Sequence, residues 1–437
     1  MNRRSPIILV LFLGILFTLT ATDMAQASGF FHPDIGPRTS ARGGANVVGG
    51  DDLSAFWMNT ANLANVDGTN IYLATSYEFF HTYYRREPYQ GASRNINPYD
   101  NVQFAGLSSD FGLDTWTFGF GVFGPYAVTN RWKRDGPQRY NIVEANVFMP
   151  IYALTAAWNP IKYVRIGAQA SLVNFRLVNE YGFSVLHDRN PEFDVIATLD
   201  AWSEFTPGYA FGIVIAPIPD WLEIGFSYNG QYDVIIEGDI SAEMPKLYGT
   251  ILGENPYTDK LRMDLTFPPI YRGGIRFIYR KLFDIEFAST FIPWTKLPYY
   301  DINFEKGDII EDFKYPLEWD DTFDFRLGGT WFVNEHWRLH GGAAYEQTAN
   351  PPHISGLESP RKIGAGGFTM SYFGMDFDAS YMHIYQEDVE TPLPGPDFAS
   401  ELDDGRGKYK TSYDVFVGAI NFNIERMYEA FNGHRPW

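Results

Sequence analysis

Apolar and polar side chains alternate along most of this chain. In residues 413–424, Phe416 and Phe422 share one face of an extended segment, while Asn421 and Asn423 share the other. The same alternation occurs in 283–291, 323–331 and 337–346. Because successive side chains of a strand point to opposite faces, this pattern predicts an all-β protein.

Each strand has one charged face and one strongly apolar face, which leaves two architectures open. In residues 323–331, Asp324 and Arg326 alternate with Phe325 and Leu327. In a soluble β-sandwich the charges would face water and the apolar faces would pack together. In a membrane barrel the apolar side chains would face lipid and the polar ones would line the lumen.

The connections between the strands favour the barrel, because short and long connections strictly interleave. Outer-membrane barrels have tight periplasmic turns and long external loops. The short connections are 112–114, 159–161, 217–220, 280–281, 334–336 and 372–374. The long ones cover roughly 85–98, 127–141, 186–198, 240–260, 295–320, 348–361 and 387–411. The segments between them predict a transmembrane antiparallel β-barrel of about fourteen strands in residues 69–424, with both ends on the periplasmic side.

Composition narrows the class of protein. Aromatic residues make up 17% of the chain, which fits aromatic girdles at both membrane interfaces. The formal net charge of −19 argues against nucleic-acid binding, which needs a basic face. The chain has no cysteine, so no disulfide supports the fold. Neither a cofactor nor a metal is predicted, although acidic loops such as 387–390 and 401–404 suit either Ca²⁺ binding or plain solvation.

The chain starts with an export signal. Arg3 and Arg4 precede an apolar run, and Ala25-Gln26-Ala27 is a small-x-small cleavage site. Residues 1–27 are therefore predicted to be a cleaved signal peptide, and the mature protein is expected in the outer membrane of a Gram-negative bacterium. At the other end, residues 425–437 do not alternate and are predicted to be a periplasmic tail.

Residues 28–68 lie between the signal and the first strand. A flexible linker is one interpretation, but Leu53, Trp57 and Leu63 resemble buried anchors and favour a hatch that plugs the lumen. The predicted hatch residues are Arg38, Gly43, Gly44, Asp51, Asp52, Trp57 and Asn59.

The third predicted strand is rich in residues that weaken strand pairing. Gly119, Gly121 and Gly124 break its side-chain pattern, and Pro125 lacks a backbone N–H. One interpretation is a lateral opening in the wall. The other is a set of small residues against which the hatch packs closely.

Several segments resemble one family. The pattern Gly36-x-Arg38-x-x-Ala41-x-Gly43-Gly44-Ala45, followed by Asp51-Asp52-x-Ser54-Ala55-x-Trp57-x-Asn59-x-Ala61-x-Leu63, resembles the hatch of the FadL/TodX outer-membrane transporters of hydrophobic compounds. The segments 119–126, with Arg131-Trp132, 319–329 and 341–346 are similar to strands of that family.

This resemblance implies passive uptake of long-chain fatty acids or other apolar molecules, with lateral release at a kinked third strand. The residues assigned to the substrate pathway are Phe30, Phe31, Gly119, Gly121, Phe123, Gly124, Pro125, Tyr126, Arg272 and Arg326. By alternation Arg272 and Arg326 point inward, where they either bind a substrate head group or belong to a charge network that fastens the hatch. Further expected partners are outer-membrane lipid, lipopolysaccharide and the barrel assembly machinery, and a monomer is expected.

The chain has Asn59-Thr60-Ala61 where the family usually has Asn-Pro-Ala. It also has Asp320-Asp321 near a position where fatty-acid transporters can carry a lysine, which disfavours an anionic cargo.

Two other functions remain open from the sequence. A lipid-modifying enzyme of the outer membrane would need a nucleophile and a base, for which only His340 and Ser380 suggest themselves. A general porin or an adhesin would be a barrel without a cargo pocket.

Overall fold

The computed structural model describes residues 35–86, 91–183, 191–245, 255–306, 312–350, 359–390 and 407–432. The predicted signal peptide, Phe30, Phe31 and the last residues of the tail lie outside these ranges. Two short helices, α1 (Pro37–Ala41) and α2 (Ala55–Met58), and a 3₁₀ helix (Thr60–Asn65) precede the strands. A third helix, α3 (Ile424–Phe431), follows them. None of the described helices has the length and apolar character to cross a membrane.

The rest of the described chain is strand, apart from the connections and the 3₁₀ turns Pro191–Phe193 and Trp294–Lys296. The strands are β1 (Asn70–Arg86), β2 (Ala92–Arg94), β3 (Tyr99–Ser109), β4 (Trp116–Arg131), β5 (Glu144–Ile161), β6 (Val164–Val173), β7 (Arg176–Phe183), β8 (Val195–Ser203), β9 (Thr206–Ile218), β10 (Leu222–Asn229), β11 (Tyr232–Glu243), β12 (Tyr257–Phe267), β13 (Ile270–Tyr279), β14 (Phe283–Ile292), β15 (Tyr299–Phe304), β16 (Phe313–Pro316), β17 (Thr322–Phe332), β18 (Trp337–Glu346), β19 (Arg361–Tyr372), β20 (Met375–Gln386), β21 (Val389–Glu390) and β22 (Gly407–Asn423).

These strands form one closed barrel. Their pairings are antiparallel, and β1 closes the sheet against β22 from Asn70–Asn423 to Arg86–Gly407. Several strands are consecutive pieces of one wall element; for example, β6 and β7 both pair with β5. Counted this way the wall has fourteen elements, which confirms the predicted barrel.

The wall elements change polarity along their length. In β10 the outward side chains, such as Phe226, are apolar, and the inward Ser227 is polar. In β11, the continuation of β10, Val234 and Ile236 point inward and Glu237 points outward. Only the β10 pattern suits lipid. We infer that β11 extends beyond the membrane, where its outer face contacts water and its inner face lines an apolar lumen.

Aromatic rings mark both edges of the lipid-facing band. Near the short turns, the rings of Trp116 and Trp158 stack at 5.5 Å. At the opposite edge a row of outward rings crosses five neighbouring wall elements, with centroid separations from 4.6 to 6.1 Å. Its members are Tyr209, Tyr228, Tyr271, Phe291 and Phe323. Girdles of this kind are typical of outer-membrane barrels.

Candidate functional site

The hatch fills the half of the lumen nearest the short turns. The name hatch is used here for residues 35–66. Nearly all of these residues are buried, including Leu53, Trp57 and Leu63. A linker would not bury these side chains, so the predicted plug inside the barrel is confirmed. The structure places all seven predicted hatch residues within this segment.

Arg38 fastens the start of the hatch to the wall. Its guanidinium group donates to Asp378 at 3.0 Å and to Asp376 at 2.6 Å, both on β20. It also donates to Asp51 of the hatch at 3.0 Å. Burial opposes ionisation of Asp51, but Arg38 and Arg338 outweigh it and hold the pKa of that carboxyl below its usual range.

Arg42 makes a second attachment at β14 and β17. It donates to Asp284 at 2.7 Å and to the Thr330 hydroxyl at 2.6 Å. Next to it, the Glu286 carboxylate accepts hydrogen bonds from the backbone N–H groups of three successive hatch residues, at 2.6, 3.0 and 2.9 Å. These residues are Val47, Val48 and Gly49. One buried carboxylate thus orders a turn of the hatch that has no backbone partners of its own.

Arg272 and Arg326, both predicted for the substrate pathway, contact the hatch in this structure. Arg272 donates to the carbonyl of Trp57 at 3.1 Å, and its guanidinium lies 4.8 Å from the centre of the Trp57 ring. Arg326 donates to the carbonyl of Gly43 at 3.1 Å and pairs with Glu346. Both side chains therefore act as attachments of the hatch.

Asp52 lies in the hatch beside weaker partners than Asp51. It accepts from the backbone N–H of Ser54 at 3.1 Å and from the Ser54 hydroxyl. The Tyr72 hydroxyl lies 3.5 Å away. Burial raises the pKa of the Asp52 carboxyl to about 6, despite the nearby Arg38. Asp52 is thus a hatch group whose charge changes close to neutral pH.

The backbone of the hatch uses special residues at two places. Gly43 and Gly44 have φ angles of +59° and +80°, which side chains other than glycine rarely adopt. Asn59 begins the 3₁₀ helix by accepting from the N–H of Ala61 at 3.1 Å, and its amide donates to the Val47 carbonyl at 2.8 Å. The Asn59-Thr60-Ala61 segment thereby forms a capped turn without the usual proline.

The glycines of β4 divide into two groups. A Cβ atom on Gly119 or Gly121 would lie 2.7 Å from the ring of Phe56 in the hatch. These two residues let the hatch pack against the wall. Gly124 and Pro125 instead lie where the register of β4 against β5 shifts, between Phe123 and Tyr126.

The wall has a gap beside this shift. β4 pairs with β3 only from Phe118 to Phe123, where Phe123 stands opposite Phe104. Beyond that pair, the next backbone hydrogen bond across this seam in the described residues joins the N–H of Ile96 to the carbonyl of Arg131, at 2.7 Å. Residues 123–128 are buried on both faces, so the upper part of β4 bends towards the lumen while it stays paired with β5 from Tyr126 to Arg131.

A narrow cleft lies next to the gap. It is lined on the inside by Ser76 and Val102 and on the outside by Thr75 and Gln103, with Gly124 at its edge. β1 and β3 stay paired at these residues, Thr75 with Gln103 and Ser76 with Val102, so the break lies between β3 and β4. The cleft lies beside the end of the β3–β4 ladder.

Aromatic side chains connect the hatch, the gap and the upper lumen, which is the part of the lumen on the side of the long connections. The ring of Trp57 lies 6.1 Å from the rings of both Phe123 and Tyr126. Tyr126 in turn lies 5.3 Å from Phe267, which lies 5.3 Å from Phe175. Such a lining suits an apolar molecule and offers it few polar partners.

The residues of the apolar upper lumen were not predicted from the sequence, in which inward side chains are expected to be polar. Its buried side chains include Val234, Ile236, Met263, Leu265 and Phe267. The signal was the reversal of polarity itself, since charged residues such as Asp233 and Arg262 alternate with these apolar ones. A strand leaving the membrane must exchange its lipid-facing apolar side chains for polar ones.

Comparison with known families identifies the barrel. Residues 18–391 match the model of the outer membrane protein transport protein family (OMPP1/FadL/TodX). The chain belongs to this family. No curated protein matches it in sequence.

Solved structures with the same fold are distant in sequence. A FadL homologue of Pseudomonas aeruginosa is 14% identical, with a TM-score of 0.77 over 90% of this chain and 99% of that one. The toluene transporter TodX of Pseudomonas putida is 13% identical, with a TM-score of 0.68 over 89% and 98% of the two chains. The toluene transporter TbuX of Ralstonia pickettii is 15% identical, with a TM-score of 0.66 over 90% and 99%.

The acidic pair that departs from the family pattern has a structural role here. The Asp321 carboxylate accepts from the backbone N–H of Thr295 at 3.0 Å and from its hydroxyl at 2.8 Å. The N–H of Asp320 donates to the Ala349 carbonyl at 2.9 Å. Together they tie the segment after β14 to the segment before β17 and to Ala349 after β18 in this FadL/TodX-family barrel.

The residues considered for an enzyme do not form a catalytic pair. The two ring nitrogens of His340 hydrogen-bond with Thr330 at 3.0 Å and with Thr369 at 2.9 Å. Neither nitrogen is therefore left to activate Ser380. Within the described ranges, no group of three or more acidic, histidine or cysteine side chains is arranged to hold a metal ion.

Proposed function

We propose that this protein carries hydrophobic small molecules passively across the outer membrane and releases them sideways into the bilayer. The proposal depends most on the gap: in the described parts of β3 and β4, the ladder of hydrogen bonds ends at Phe104 and Phe123. A closed wall would leave a cargo only the route through the hatch.

The attachments of the hatch favour the lateral route. Four arginines join the hatch to the wall. Arg38 and Arg42 of the hatch bind carboxylates of the wall. Arg272 and Arg326 of the wall donate to carbonyls of the hatch. Removing one partner of a buried charge pair costs about 3–5 kcal/mol, so displacing the whole hatch for every cargo molecule would be expensive. The gap needs no such displacement.

The proposed cargo is apolar and uncharged. The aromatic path from Phe175 to Trp57 offers apolar contact. The arginines of the lumen are already engaged with the carboxylates and carbonyls described above, so an anionic head group has little to bind. Lipopolysaccharide, the barrel assembly machinery and a monomeric state remain predictions.

A filled cleft tests the route. Val102 lines the cleft and belongs to none of the ion pairs of the hatch described above, so Val102→Trp places an indole in the cleft. Leu107→Trp is the matched control, because Leu107 lies exposed on the outer face of the same strand. We expect proteoliposomes to take up a radiolabelled hydrocarbon at the wild-type rate with Leu107→Trp and several-fold more slowly with Val102→Trp.

Three other results would contradict the proposal. Wild-type uptake by Val102→Trp would contradict the lateral route. Uptake by the wild type no faster than by protein-free liposomes would contradict transport of hydrocarbons altogether. A large, steady conductance of the wild type in planar bilayers would indicate a general porin.

A further inference from the structure

Helix α3 presents an apolar stripe that the described part of the protein does not cover. Ile424, Met427, Tyr428 and Phe431 are spaced so that they share one side of the helix. No residue of the helix is buried, and Tyr428 and Phe431 are 72% and 73% exposed. Exposed aromatic side chains at this spacing indicate an interaction surface.

The helix has a fixed position at the periplasmic end of the barrel. The Asn423 side chain caps it by accepting from the N–H of Arg426 at 2.9 Å. The N–H of Ile424 donates to the Thr69 carbonyl at 2.9 Å, and Glu425 accepts from the N–H of Thr69 at 2.7 Å. These bonds attach the helix to the residue that precedes β1.

The stripe continues the lipid-facing surface of the wall. The ring of Phe431 stacks on Phe373 at 6.5 Å, with an angle of 9° between the planes. Phe373 lies at the tip of the turn between β19 and β20, 4.4 Å from the ring of Tyr372. Above it, the rings of Trp337 and Phe368 lie 5.6 Å apart on the outer face of the barrel. Aromatic side chains thus lie both on the lipid-facing wall and on the turn against which the helix stacks.

We propose that α3 lies in the periplasmic surface of the outer membrane, with its stripe inserted among the lipids. Short amphipathic helices of this type bury their apolar face about 5–10 Å into the boundary between head groups and acyl chains. The helix carries Glu425 and Glu429 against Arg426, so apolar insertion rather than attraction to anionic head groups supplies the affinity. The inserted helix then anchors this end of the barrel in the membrane.

The absence of cysteine from the chain allows a direct test. A single cysteine at Tyr428→Cys or at Glu429→Cys is labelled with a polarity-sensitive fluorophore in the full-length protein, reconstituted into vesicles of purified phospholipid. The two positions are neighbours but differ in whether they belong to the stripe. Lipids brominated near the head of the acyl chain quench the label at 428 several-fold more strongly than the label at 429, if the proposal is correct.

Two results would overturn it. Equal, weak quenching at both positions would mean that the helix stands in water. The second result is weak lipid quenching at 428 together with label emission that reports an apolar environment only after periplasmic extract is added. It would mean that the stripe binds a protein. Heat-modifiable migration of each labelled variant on a gel verifies that its barrel is folded.

Discussion

The rings of Phe104 and Phe123 meet edge to face at 5.5 Å, in the last residue pair that joins β3 to β4. Below this pair the wall is closed and lined by the hatch. Above it, β4 bends inward and the cleft begins. The contact therefore marks the boundary between the sealed and the open part of the seam.

Enlarging Gly121 should loosen the hatch. In Gly121→Leu the new side chain overlaps the Phe56 ring, whose nearest atom lies 2.7 Å from a Cβ at this position. Overpacking typically costs about 1–3 kcal/mol, so amide hydrogens of the hatch should exchange roughly ten- to a hundredfold faster. Gly364→Leu is the control, since a Cβ at Gly364 meets no atom within 4 Å. Unchanged exchange in Gly121→Leu would show that Phe56 does not hold the hatch at this wall.

Removing the charge of Arg42 should open the barrel. Arg42→Met leaves Asp284 without one of its two arginine partners and Glu286 without its only arginine contact among the described residues. Because weaker compensation of two buried carboxylates costs up to about 3–5 kcal/mol, we expect frequent large conductance steps in planar bilayers. Arg262→Met, which breaks an exposed pair with Glu237, should leave the conductance low. A quiet Arg42→Met channel would mean that the remaining attachments suffice.

The hatch should be held more firmly at mildly acidic than at neutral pH. The folded pKa of Asp52, about 6, lies above the ordinary value of 3.8, so the docked hatch binds more protons than the released one between these values. Stability contributed by the protonated form is complete near pH 4 and falls as pH rises through about 6. Hatch amide protection, corrected for intrinsic exchange, should drop by up to about a hundredfold between pH 4 and 7. Asp52→Asn should remove most of this dependence, and an equal drop in that variant would contradict the role of Asp52.

Phe267 should contribute to cargo affinity. Its ring links Tyr126 to Phe175 in the apolar lumen, so Phe267→Ala removes contact area there and should weaken binding of an aromatic hydrocarbon about tenfold or more. Phe287→Ala, on the lipid-facing surface, is the matched control. If both variants bind the hydrocarbon as the wild type does, the cargo rests elsewhere in the lumen.

Most of the architecture could be predicted from local patterns. Alternation in segments such as 413–424 and the interleaving of short and long connections were sufficient to predict the barrel, because a strand exposes its faces residue by residue. Buried anchors such as Trp57 were sufficient to predict a hatch. Both depend on the character of individual side chains and not on their distant partners.

The partners themselves could not be predicted. Nothing in the sequence pairs Glu286 with the N–H groups of residues 47–49, because the contact joins positions more than 230 residues apart. For the same reason Gly121 and Gly124 looked alike in the sequence, although one faces the hatch and the other the gap. The reversed polarity of β11 is visible in the sequence. It can be interpreted only after the part of each wall element inside the membrane is separated from the part outside it.

A locked hatch tests the lateral route most directly. A Cβ at Gly225 would lie 3.0 Å from a methyl carbon of Val48, so Val48→Cys with Gly225→Cys places two thiols within reach of a disulfide, the sole one in a chain without native cysteine. We predict that hydrocarbon uptake by the oxidised double variant equals its uptake after reduction, because the hatch stays in place during transport. Uptake that is lost on oxidation and restored by reduction would contradict the account, since the cargo would then need the hatch to move.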